Sequence, residues 1–142
     1  MAVVRFHLAS TLTPSAVLDV LTDFSPARAQ EWPTIDSDHF TVHRFGDSWA
    51  EVTEGTNAAW ERGRYDWDRK KGRVTVSTAD SKLFGPGGGW VFQTTPEGKG
   101  TRIDIELTRE PTAFKDKVLA AVLKPIAPSY LRKAFSGPLK AE

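Results

Sequence analysis

Alternation of apolar and polar residues opens the chain. Val4, Phe6 and Leu8 fall on one face and Arg5 and His7 on the other, which predicts a half-buried strand over Val3–Ala9. Thr13-Pro14 is a helix start, with Thr13 as N-cap and Pro14 where its missing N–H matters least. Val17, Leu21 and Phe24, with Leu18 and Val20 beside them, supply a helical stripe. Ser25-Pro26 repeats the signal, and a second short helix is expected to run to Trp32 before Pro33 ends it.

The period then changes to strands. Gly46-Asp47 separates His39–Phe45 from Ser48–Glu54 at hairpin spacing. Gly55-Thr56-Asn57 marks a turn before a long strand over Ala58–Arg69, and Lys70-Lys71-Gly72 turns that into Arg73–Ala79. The loop Ser81–Gly88 precedes Gly89–Thr95. The turn Pro96–Gly100 then leads to a final strand in which Thr101, Ile103, Ile105 and Leu107 oppose Arg102, Asp104, Glu106 and Thr108. Beyond Pro111 the helical period returns in Phe114, Val118, Val122, Ile126 and Tyr130. Pro125 and Pro128 predict a kink or break near Leu123–Pro128. The order predicts an α+β fold: a curved antiparallel sheet of about seven strands wrapped around a long C-terminal helix, with two short helices after the first strand.

Bulk properties narrow the function. The 142 residues suit one domain, 1–142, with one core. A net charge of +1 gives no global field for nucleic acid, and the absence of cysteine removes disulfides and thiolate metal sites. No apolar run resembles a signal peptide or a membrane span, so a cytoplasmic location is expected. Five tryptophans are a large apolar payload for so short a chain.

The stretch Asp80-Ser81-Lys82-Leu83-Phe84-Gly85-Pro86-Gly87-Gly88-Gly89-Trp90, followed by Thr95-Pro96-Glu97-Gly98-Lys99-Gly100-Thr101-Arg102-Ile103, resembles patterns of the bacterial polyketide cyclase/dehydrase-like subgroup of the SRPBCC superfamily. Glu61-Arg62-Gly63-Arg64-Tyr65 adds weaker support, and the two prolines of the C-terminal helix depart from the pattern. The resemblance implies a START-like helix-grip fold with an apolar cavity and does not imply one activity.

Strand parity nominates the residues of that cavity. Ile103, Ile105 and Leu107 are expected to face inward with Trp90, Phe92 and Thr94, and Tyr65 and Trp67 with Val74, Val76 and Thr78. Val118, Val122, Ile126 and Tyr130 would form the helix side, and Phe84 joins them from the loop that the resemblance puts near the cavity mouth. The plain alternative is that these side chains simply fill a core. Glu61 shares the inward parity of Tyr65. It is either a ligand acceptor or acid/base group, or a wet carboxylate at the sheet rim paired with an arginine.

Other chemistry is not supported. His39 and His43 lie four residues apart on one strand, about 13 Å at strand rise, so no metal site is expected. The glycine loop lacks the Lys-Ser/Thr of a phosphate loop, and no Ser-His-Asp set can be composed. Lys115, Lys117, Lys124, Arg132, Lys133 and Lys140 make the C-terminal region basic. That would suit transient contact with an anionic membrane surface, or is only the wet face of a packed helix. The expected function is non-catalytic binding or transport of a small hydrophobic molecule such as a lipid or polyketide, with no cofactor. The alternatives are a polyketide aromatase/cyclase, in which Glu61, Tyr65 or Tyr130 would move protons, and a protein-interaction module of the same fold.

Overall fold

In a computed structural model, residues 2–109 and 127–142 are described. The period-2 segments become seven strands: β1 (Ala2–Ser10), β2 (Phe40–Phe45), β3 (Trp49–Glu54), β4 (Glu61–Asp68), β5 (Arg73–Ser81), β6 (Gly89–Glu97) and β7 (Gly100–Arg109). They form one antiparallel sheet in the order β1-β7-β6-β5-β4-β3-β2, so the first strand closes on the last and every other neighbour is a hairpin partner. The helices are α1 (Pro14–Leu21), α2 (Ala27–Glu31) and α3 (Ala127–Ser136). This is the α+β helix-grip arrangement that the order of elements predicts. Pro128 lies within α3, and most of the expected break near Leu123–Pro128 falls outside the described residues.

Local chemistry explains the boundaries. Thr13 caps α1 by accepting from the Ala16 N–H at 3.2 Å, and α1 buries Val17, Leu18 and Leu21. The helix ends at Leu21, short of Phe24, because Thr22 turns its hydroxyl back onto the Leu18 carbonyl at 2.7 Å. The strand expected from Ala58 begins only at Glu61. Gly55, with a φ of 138°, turns the chain away and its carbonyl accepts from the Asp36 N–H instead of a strand neighbour. A Cβ at Gly88, whose φ is 73°, would collide with the Thr108 carbonyl, so the loop before β6 can pass against β7 only as glycine.

The inward faces of the strands meet α1 and α3 in one core. Leu8, Val17, Leu18, Val74 and Ile103 are fully buried in it. Each such side chain contributes roughly 1.5–3 kcal/mol on removal from water. Phe135 of α3 reaches the same core and packs its ring against Phe6, Trp32, Trp90 and Phe92, at centroid distances of 5.3–6.3 Å. The C-terminus is tied down through Ala141, which bridges to Ser10 beside β1.

Candidate ligand cavity

Elsewhere on the concave face the packing opens into a cavity of about 550 Å³. That lies inside the range typical of small-molecule sites, about 300–1,000 Å³. Its apolar walls come from β6 and β7 through Trp90, Phe92 and Leu107, and from α3 through Leu131 and Phe135. Trp32, Trp60, Leu83 and Phe84 are contributed by loops. Trp90 and Phe92 stack with centroids 5.9 Å apart and planes within 10°, giving one flat aromatic wall.

Two charged clusters interrupt this lining. The first is built on α2: Arg28 is held over Phe24, Trp32 and Tyr65, its guanidinium carbon 4.7–5.4 Å from the three ring centroids. Its Nε donates to Glu54 at 2.8 Å, Nη1 to the carbonyls of Leu21 and Asp23, and Nη2 to the Tyr65 hydroxyl. The Tyr65 hydroxyl donates in turn to the other Glu54 oxygen. Burial pushes the Tyr65 phenol well above the ordinary tyrosine range, and the Glu54 carboxylate pushes it the same way. Burial acts to lower the Arg28 pKa, but Glu54 and Tyr65 more than offset it, so the net shift is upward.

The second cluster is built on the end of β7. Arg109 donates from Nη2 to Glu61 and from Nη1 to Thr78 Oγ1 at 3.1 Å, while the Trp90 indole N–H donates to the other Glu61 oxygen at 2.7 Å. The Arg109 guanidinium carbon lies 5.7 Å from the ring centroids of both Phe84 and Trp90. Its buried Nε has no acceptor among the described residues.

The structure brings Glu61, Tyr65, Phe84, Trp90, Phe92, Leu107 and Tyr130 to the cavity. Tyr130 is a rim residue, 65% exposed. Trp67, Val76, Ile103 and Ile105 face the same interior but pack in the core away from the cavity, with Trp67 against Phe24. Parity alone does not separate the filled part of an inner face from the open part. Val118, Val122 and Ile126 lie outside the described residues. Glu61 unites the two accounts of it: it is half-buried, paired with an arginine, and turned to the cavity.

Arg28, Glu54, Arg109, Trp32, Trp60 and Phe135 were not nominated by the pattern. Two of them carried a signal. Glu54 continues the inward parity of Ala50 and Val52, and Arg109 that of Ile103, Ile105 and Leu107. Among the described residues no group of three potential metal ligands is found, and no helix is long and apolar enough to cross a membrane.

No family model and no curated protein matches the sequence. Solved structures do match. A START superfamily protein from Mycobacterium smegmatis superposes with a TM-score of 0.74 at 14% identity, covering 99% of this chain and 98% of that one. The Zhui aromatase/cyclase from Streptomyces sp. R1128 gives 0.72 at 11% identity over 97% and 93% of the two chains. A protein from Thermus thermophilus gives 0.72 at 17% identity over 97% and 92%. The chain therefore has the SRPBCC/START-like fold.

Proposed function

We propose that this protein binds a small, largely apolar molecule in the cavity between the sheet and α3, as a carrier or sensor. The observation that carries the proposal is the aromatic-walled space of about 550 Å³, left open where the other half of the same sheet is packed solid. Unfilled apolar space forfeits dispersion contacts, and a ligand of matching shape recovers them. Native mass spectrometry of freshly purified protein tests this. A discrete adduct absent from the denatured mass is expected, together with a thermal upshift when the extracted compound is added back. An apo mass, with no upshift across fatty acids, sterols and aromatic polyketides, would overturn it.

A second reading is catalysis of the aromatase/cyclase type, the activity named for the Zhui structure. It is supported by the Glu61 carboxylate on the cavity wall. Tyr65 is a poor proton donor for such a reaction, because its hydroxyl is already committed to Glu54 and its proton is held by burial. If the cavity cyclises a substrate, Glu61→Gln should abolish turnover while binding survives. Unchanged turnover removes Glu61 from any mechanism.

A further inference from the structure

Glu54 and Glu61 are directly opposed residues of the β3–β4 pair, so both carboxylates leave the sheet on its cavity face. Residues paired in this way have Cα atoms about 4.5–5.5 Å apart. Like charges at directly opposed positions repel, and a fold has no structural need to put two of them on an apolar interior wall. Each is neutralised by an arginine. The Arg28 side chain is 3% exposed against 14% for Glu54, and Arg109 8% against 25% for Glu61. All four side chains line the cavity, and in each pair the carboxylate is the more exposed member. The Arg28 N–H groups are taken up by Glu54, Tyr65 and backbone carbonyls.

The geometry points to a ligand that presents an uncharged hydroxyl group, on an alcohol or phenol, to the Glu54–Glu61 pair, with its apolar body against Trp90 and Phe92. This rests on the cavity being a binding site and adds the chemistry of its polar end. A hydroxyl hydrogen satisfies the outward lone pairs of a carboxylate. A ligand carboxylate has no such hydrogen. It would also add an unbalanced negative charge to a wall where two arginines already match two glutamates. The cavity therefore selects against free fatty acids and other organic anions of the right size.

Three bicyclic probes of one shape test this by isothermal titration calorimetry at neutral pH: 2-naphthol, 2-methoxynaphthalene and 2-naphthoate. The naphthol is expected to bind about ten-fold more tightly than the ether, the value of one hydrogen bond to a charged acceptor, with the naphthoate weakest. In Glu61→Gln the naphthol preference should shrink to within about three-fold and naphthoate binding should strengthen, because Arg109 loses its counter-charge. Should that variant fail to fold, Glu54→Gln and the wild-type ranking decide. Equal binding of all three, or naphthoate the tightest, overturns the hydroxyl assignment while leaving the cavity a binding site. No binding by any probe overturns it too, and a missing adduct in the native mass then takes the cavity reading down with it.

Discussion

Two buried arginines, one from α2 near the start of the chain and one from the end of β7, pair with two opposed glutamates, yet they are differently finished. Arg28 is enclosed by three aromatic rings and donates to Glu54, Tyr65 and the backbone at and just beyond the end of α1. Arg109 touches two rings, donates to Glu61 and Thr78, and keeps one buried N–H without an acceptor among the described residues. The Arg28 cluster binds the α1–α2 turn to the sheet, since its acceptors come from both. The Arg109 cluster ties β7 across the concave face to β5 and β4, which are not its ladder neighbours, and brings in no helix. A complete buried network is structural equipment, and an incomplete one beside a cavity is where a ligand has something to add.

The sharpest way to break this comparison is to remove each arginine in turn. Arg28→Met should be the more damaging. It strands Glu54 and several backbone carbonyls in a site that water barely reaches, with an expected loss of about 3–5 kcal/mol. Arg109→Met leaves Glu61 with its Trp90 donor and partial access to solvent, and about 1–3 kcal/mol is expected. Denaturant unfolding of the two variants measures both losses. Equal losses would show that the two clusters do the same structural work, and the functional distinction between them would fall.

The two clusters also differ in how far the sequence announced them. Glu54 and Arg109 follow the inward-facing Val52 and Leu107 by two residues on their strands. Extending the inward alternation by two residues puts both on the inner face. Arg28 carried no such signal. It sits in a five-residue helix with no usable period, and its burial is a tertiary outcome of the turn after α1 folding over it. Phe135 is similar: its role as the hub of four aromatic contacts depends on where α3 crosses the sheet, which no local pattern encodes. The fold was legible because seven alternating segments with turn residues between them admit few arrangements. The division of the inner face into filled and open halves was not, because both halves are apolar.

The smallest expected effect distinguishes the clusters most finely, since only the Arg28 side contains a phenol. Tyr65→Phe removes the hydroxyl that links Arg28 to Glu54 and should cost about 1–2 kcal/mol. It should also change the alkaline limb of stability. Burial and Glu54 hold the Tyr65 pKa above its unfolded value of about 10, so the folded state keeps a proton that the unfolded chain releases. The corresponding stability is fully present below pH about 10 and is lost as pH rises beyond it, because ionisation then favours the unfolded chain. The chain has two tyrosines, which makes the phenolate absorbance easy to apportion. The wild type should show a phase delayed beyond the ordinary tyrosine range, and Tyr65→Phe should lack it and lose less stability above pH about 10. A delayed phase that survives in Tyr65→Phe would mean that the Arg28 cluster is not the closed, dry network that separates it from its neighbour across β3 and β4.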